Sequence, residues 1–308
     1  MQAAAAATDI FLSWLNARQG SPFELTHDTS PSVSQGFGIT ASDGEQRLAI
    51  AVQPLFEPEQ DAGWVRRCAA VAEQLWQLAG VPLALWIPPE TDLPRGDRTE
   101  FLHRVVDSAA HLEPGQRGQV DFPVNLTLKK LSDEASYVHV IGGLAPHWAR
   151  LTGRAYGQYA LDTTAIHRLP EPEKRVAELL DWVALLGNGM KAGSTSEVKA
   201  EDAWTINRPN LAGHVTVIGA APDSEPSNGT SVRKLVRAGL RQAAQDAAPA
   251  GVTRALVFLG VFRTMDEENA TIAIRSCDPS LYSPFDAVCL VADGSCKALV
   301  GPRSVVLR

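Results

Sequence analysis

Cysteine is scarce: Cys68, Cys277, Cys289 and Cys296 are the only four in 308 residues. They are too few and too unevenly spaced for a disulfide scaffold in a chain of this length, and a reducing cytoplasm is the expected setting. No CxxC occurs and no paired histidines lie near the three late cysteines, so no structural zinc site is expected; Cys289 is read as packed inside a strand. Long apolar runs are missing as well. The most apolar stretches, Ala255 to Phe262 and Ala287 to Ala292, have the length of buried strands and fall far short of the roughly 20 residues that span a bilayer. No Lys or Arg precedes Arg18, and Asp9 interrupts the alanine-rich start, which therefore reads as a helix and not as a signal peptide. A soluble chain without membrane association is expected. Positive charge is also in deficit, with 28 Lys plus Arg against 35 Asp plus Glu and a net charge of −7. Attraction to phosphate backbones must then come from a local patch.

Several catalytic signatures are absent too. There is no GxSxG for a serine hydrolase, and neither GxxxxGK[ST] nor GxGxxG for a phosphate cradle. The histidines, among them His27, His139, His147, His167 and His214, show no HxxxH spacing and read as surface or satisfied polar residues.

What is present is ordinary globular composition, 45% hydrophobic and 20% charged, in a length that predicts about two folding units. Apolar spacing predicts a first helix over Thr8 to Arg18. Short β-prone segments follow at Phe23 to Thr26, Gly36 to Thr40 and Arg47 to Val52, with turn chemistry at Ser42-Asp43-Gly44. An amphipathic helix is predicted over Trp64 to Ala79, with Val65, Cys68, Val71, Ala72, Leu75, Trp76 and Leu78 on its apolar side, and then a strand over Leu83 to Ile87. Glu90 to about Pro123 reads as connection with a helical patch at Phe101 to Ala110. Val124 to Leu131 and Tyr137 to Ile141 are expected to form a hairpin across Ser132-Asp133-Glu134. His147 to Arg154 reads as a short helix, and Glu173 to Leu186 as a longer one. Strands are then predicted at Ala203 to Asn207, His214 to Ile218, Arg254 to Phe262 and Phe285 to Ala292, with a helix over Ser231 to Ala247 and a turn at Asp293-Gly294.

The second half repeats the order of the first. The strand at Leu48 leads to Trp64-Val-Arg-Arg, and the strand at His214 leads to Ser231-Val-Arg-Lys at nearly the same separation, while Leu83-Ala-Leu-Trp-Ile corresponds to Ala255-Leu-Val-Phe-Leu. An internal duplication accounts for both with one assumption. The division expected is a first α/β unit at 1–90, a connecting region with a hairpin at 91–170 and a second α/β unit at 171–308.

A helix, a β-meander, an amphipathic helix and a further strand, together with the segment Gly36 to Gln53, resembles the core of the PD-(D/E)XK nuclease superfamily, the restriction-endonuclease-like fold. The resemblance implies an α/β protein with mixed β-sheets flanked by helices, in two related units. In that family an Asp precedes a strand bearing apolar-Glu-apolar-Lys. The carboxylates hold a divalent metal, and the lysine orients water and stabilises negative charge. Here Asp43 is followed by Ile50-Ala51-Val52-Gln53, with Ala51 at the glutamate position and Gln53 at the lysine position. Alanine cannot ligate a metal and an amide carries no charge, so the match implies a dead site with no metal and no cofactor. Glu197-Val198-Lys199 spells Glu-x-Lys elsewhere, in polar surroundings that make a poor buried strand; it reads otherwise as an exposed loop or strand edge. An active enzyme requires Mg²⁺ and carboxylates from nonstandard places: Glu24, Asp28, Asp43 and Glu57, or Glu197 with Lys199.

One concentrated positive surface is readable. Arg233, Arg237 and Arg241 recur at i, i+4, i+8, with Lys234 beside them and Val232, Leu235, Val236, Leu240 and Ala243 opposite. It suits nucleic-acid phosphates or an acidic partner, or it solvates the outer face of a core helix; the aromatic interleaving usual for single strands is missing. Three functions therefore stand open: a non-catalytic scaffold or interaction subunit holding other protein subunits, in a nucleic-acid-processing or defence assembly; an active nuclease; and a protein-interaction module with no nucleic-acid connection.

Overall fold

The first helix, α1 (Gln2–Asn16), buries Ala7, Ile10, Phe11 and Leu15 on one side, and its end is fixed where the Asn16 side chain exchanges hydrogen bonds of 3.0 and 2.8 Å with the Phe23 backbone. The computed structural model describes residues 2–18, 22–26, 39–55, 62–169, 171, 173–210, 213–222, 229–246, 251–261 and 263–301. After α1 come β1 (Glu24–Leu25), β2 (Ile39–Ser42) and β3 (Arg47–Pro54), an antiparallel meander. Residues 36–38, expected to open β2, lie outside the described residues.

Helix α2 (Ala62–Ala79) stops at Gly80, whose φ of +61° suits glycine and whose N–H closes on the Trp76 carbonyl at 2.9 Å. Its buried stripe is Trp64, Val71, Ala72 and Leu75, while Val65 and Leu78, expected inside, are about half exposed. The Trp64 indole N–H donates to the Gly219 carbonyl at 3.1 Å and so holds the first turn of the helix against the segment after β9. Then follow β4 (Ala84–Trp86), α3 (Thr99–Ala109), β5 (Arg117–Ser132), β6 (Ser136–Gly142), a 3-10 turn (Ala145–His147), α4 (Trp148–Thr152), β7 (Gly157–Thr163), α5 (Glu173–Gly189) and β8 (Thr195–Asn207). The chain continues through β9 (Thr216–Ile218), α6 (Gly229–Gln245), β10 (Thr253–Leu259), α7 (Arg263–Arg275), α8 (Pro279–Tyr282), β11 (Ala287–Ala292) and β12 (Ser295–Val300). The last two strands are joined by Asp293 and Gly294 at φ +51° and +69°, the positive pair that a tight hairpin turn demands.

The strands form two mixed six-stranded sheets flanked by helices, ordered β1-β2-β3-β10-β11-β12 and β6-β7-β5-β8-β4-β9. Residues 1–118 and 205–308 form one compact unit and 119–204 another.

In the first unit the two expected β–α–β passages are present but exchange sheets. β3 leads through α2 to β4 in the second sheet, and β9 leads from that sheet through α6 to β10, which pairs in parallel with β3 from Leu48↔Thr253 to Pro54↔Leu259. β4 and β9 pair in parallel in turn, Ala84↔Thr216 to Trp86↔Ile218. These passages do not stand as two separate units; each supplies the parallel neighbour that the other lacks. Leu48, Ile50, Val257 and Cys289 share a core with α1 on one face of the first sheet, and Ala49, Ala51, Leu256 and Phe258 meet α6 and α7 on the other. Helix α7 lies between two predicted strands where no element was predicted; parallel β10 and β11 need a crossover between them.

In the second unit the expected hairpin is replaced by a βαβ passage. β7 inserts between β5 and β6, antiparallel to the first and parallel to the second, with α4 as the crossover. Tyr159 on β7 secures this arrangement, its hydroxyl donating to the Tyr156 and Gly187 carbonyls at 2.6 and 2.9 Å. Helix α5 covers one face of these strands through Val176, Leu180 and Val183.

Candidate functional site

Strand β3 alternates between two cores, and that alternation decides what stands at the nuclease-like positions. Ala51 is fully buried opposite Leu256 and faces Val232, Val236 and Leu240 of α6. Gln53 is half-buried beneath the same helix. A side chain on Gly239 would set its Cβ 2.9 Å from the Phe258 ring and 3.4 Å from Gln53, so the helix backbone lies close on the strand where a carboxylate and a lysine would need space and water. Asp43 sits in the β2–β3 turn, where its Oδ1 accepts from the Glu45 and Gln46 N–H groups at 3.0 and 2.7 Å, a turn-forming use of the carboxylate. Glu24 is exposed on β1, opposite Ser42. Asp28 and Glu57 lie outside the described residues. Among the described residues, no three His, Cys, Asp or Glu side chains are grouped to hold a metal ion, and no helix is long and apolar enough to cross a membrane.

Glu197 and Lys199 belong to β8 in the second unit. Both are exposed and flank the buried Val198, so the polar stretch is an ordinary one-sided strand with its charges on the solvent face.

The α6 stripe takes the form its spacing predicts. Arg233, Lys234, Arg237 and Arg241 are exposed, while Val232, Val236, Leu240 and Ala243 are buried. None of the four makes an ion pair among the described residues. Two arginines outside the helix join the arrangement. Arg254 on β10 donates to the Ala243 and Asp246 carbonyls at 2.9 and 3.1 Å, satisfying the end of α6 and fixing its rotation, with its guanidinium 5.4 Å from the Phe285 ring centre. Arg275, exposed in the last turn of α7, extends the positive surface beside Ser276, whose carbonyl faces the Arg237 guanidinium. Neither has a sequence signature of proximity; only the packing of α7 on α6 brings Arg275 there.

A second cluster, in the 119–204 unit, contains His167, which was read as a surface or satisfied polar residue. Asp202 is buried with its carboxylate saturated: Oδ1 accepts from the His167 and Arg168 N–H groups at 2.8 and 3.0 Å, and Oδ2 meets His167 Nδ1 and Trp204 Nε1, each at 3.0 Å. Nearby, the Arg175 guanidinium is held by Asp121 at 2.5 Å and by Glu201. Asp202 thus pins the segment before α5 onto β8, Arg175 ties α5 itself to β5 and β8, and every Asp202 lone pair so used serves the fold. No known family model matches this chain, and neither the curated proteins nor the solved structures hold a match to it.

Proposed function

We propose that this chain is a non-catalytic interaction subunit, a degenerate restriction-endonuclease-like scaffold of the cytoplasm that holds protein partners and contacts nucleic-acid phosphates through α6. The observation that carries the reading is Ala51: the position that would ligate a metal in an active nuclease is an apolar, fully buried residue covered by α6. Burying a carboxylate there without partners would be costly, so the site is built for packing. The exposed arginines of α6, without an ion pair among the described residues, in a chain of net charge −7 supply a directional field for a polyanion. The arrangement suits backbone contacts without base readout, since arginines on a helix surface engage phosphates irrespective of sequence.

The test has two arms. Duplex DNA and RNA are incubated with the chain in Mg²⁺ or Mn²⁺; no cleavage is expected, and metal-dependent cleavage abolished by Asp43→Ala would overturn the non-catalytic reading. Binding of the same labelled duplexes is then followed by anisotropy against salt. Salt-dependent binding lost in the triple variant Arg233→Glu, Arg237→Glu, Arg241→Glu supports the phosphate contact, and absence of binding overturns it in favour of a module confined to protein partners.

A further inference from the structure

Cys289 and Cys296 stand on the two strands of the last hairpin, β11 and β12, on the face of the first sheet that packs against α1. Cys289 lies opposite Ala298 and Cys296 opposite Val291, so the two thiols are diagonal neighbours across the antiparallel pair. The register shifts beside Cys289, where Val288 meets Val300 and the pairing passes over Leu299, a bulge of the kind that re-aims a side chain. Both thiols are free, and a hydrogen bond joins the two sulfurs. Cys289 is fully buried and Cys296 half-buried, so one sulfur sits in the core and the other at its rim. At that rim the Arg18 guanidinium supplies a positive charge to Cys296. It is positioned by donation to the Trp14 carbonyl at 2.9 Å and lies 4.4 Å from the Trp14 ring centre.

Two sulfurs so placed can be joined directly or through a cation. A disulfide needs Cα atoms about 4.4–6.8 Å apart, whereas diagonal neighbours on antiparallel strands lie about 7–8 Å apart, so a direct bond requires the strands to move. A cation between the sulfurs spans the longer gap with the strands in place. The donor set selects the cation. Among the described residues no third His, Cys, Asp or Glu is grouped with the pair, so the four-ligand shell of Zn²⁺ is not completed and Ca²⁺ or Mg²⁺ finds no carboxylate. Two sulfur donors suit a soft, closed-shell, monovalent ion that accepts two ligands in line, and Cu(I) is the one thiolates select. We propose that Cys289 and Cys296 bind one Cu(I) between their sulfurs. Each S–H bond breaks as an S–Cu bond forms, the sulfur keeping the electron pair; two protons pass to solvent and copper stays monovalent throughout. The complex carries one negative charge, which Arg18 offsets at the rim. Half-buried Cys296 is the way in. The inference stands apart from the nucleic-acid reading, which rests on α6.

Anaerobic titration of the reduced full chain with Cu(I), in competition with a chromophoric Cu(I) chelator, tests it. One Cu(I) per chain is expected to leave the chelator and to show two sulfur neighbours in its X-ray absorption spectrum. Cys296→Ser, a near-isosteric change at the half-buried position, is expected to abolish the transfer without lowering the thermal melt of the metal-free protein. Cys68→Ser and Cys277→Ser should leave the transfer intact. Arg18→Ala is expected to weaken the affinity by about 10-fold or more, as for a group that acts on a ligand without touching the metal, and Arg18→Lys to recover most of it. A wild type that takes no copper from the chelator overturns the proposal, as does uptake that persists in folded Cys296→Ser. A disulfide between Cys289 and Cys296 in place of a copper complex, read as two alkylatable thiols lost after chelation and unfolding, overturns it too.

Discussion

Ala51 lies opposite Leu256 across the parallel pair β3–β10, both side chains fully buried against α6. Restoring the nuclease-like residue therefore does not restore a site. Ala51→Glu is expected to destabilise the fold by about 3–5 kcal/mol, the cost of an uncompensated buried charge, and to bind no Mg²⁺. Urea denaturation followed by tryptophan fluorescence measures the first, and calorimetric Mg²⁺ titration at low urea the second.

The α6 stripe yields a quantitative expectation. Each arginine that neutralises one phosphate contributes about 0.9 to the slope of log K against log salt on duplex DNA. Removing Arg237 alone should lower the slope by about 1 and weaken binding uniformly across sequences. Arg275→Ala, on the neighbouring helix, should do the same, whereas Lys199→Ala should leave the slope unchanged.

Asp202 offers a different measurement. Its carboxylate satisfies two N–H groups and two ring donors, so Asp202→Ala leaves buried donors without acceptors and should cost about 2–4 kcal/mol. Hydrogen exchange at His167 and Arg168 is expected to rise together in that variant, and Trp204 emission to shift.

How much of this was legible depends on whether the signal was local. Helical spacing located α1, α2, α5 and α6, and the Ser42-Asp43-Gly44 and Asp293-Gly294 turns were readable because their conformations need those residues. The side of α6 that carries Arg233, Arg237 and Arg241 follows from the same periodicity. Partner choice among strands was not legible. Nothing in Ile50-Ala51-Val52 names Leu256 as its neighbour, and nothing in the Tyr159 segment shows that its hydroxyl meets the Gly187 carbonyl of α5 or that β7 pairs between β5 and β6. Helix α7 escaped notice because the buried residues among its described side chains, Ala270, Ala273 and Ile274, are mostly small. Arg254 and Arg275 joined the α6 surface through tertiary packing alone.

The thiols should be slow. Burial pushes the Cys68 thiol up to about 12, and a hydrogen bond with Cys289, together with burial, raises Cys296 well above the usual thiol range. The reactive thiolate is then scarce at neutral pH. Native protein at pH 8 is expected to consume iodoacetamide far more slowly than urea-unfolded protein, with the four cysteines gaining reactivity together at the unfolding midpoint.

Stability should fall at both ends of the pH scale. Hydrogen bonds from the Thr99 hydroxyl and N–H to Asp97, from the Thr164 N–H and hydroxyl to Asp162, and from the Ser280 N–H and hydroxyl to Asp278 hold these carboxyls below their ordinary 3.8. A depressed folded value adds stability above pH 3.8 that disappears as pH falls through it. Lys130 runs the other way: Asp133, 2.8 Å away, raises it above 10.5, so its contribution is present below that pH and is lost in more alkaline solution. Melting temperatures across pH 2–12 should show both declines, the alkaline one flattened in Asp133→Asn.

The exchange of β–α–β passages sets a timetable for synthesis. β3 leaves the ribosome with its meander partner β2 in place but with the edge that β10 will occupy still bare, and it waits for about 200 further residues. At roughly 5–20 residues per second that exposure lasts on the order of 10–40 s, long enough for an apolar strand edge to meet another nascent chain. The first 118 residues cannot complete their fold ahead of the last hundred. A newly made chain of this kind is a client for chaperones until its C-terminal strands arrive.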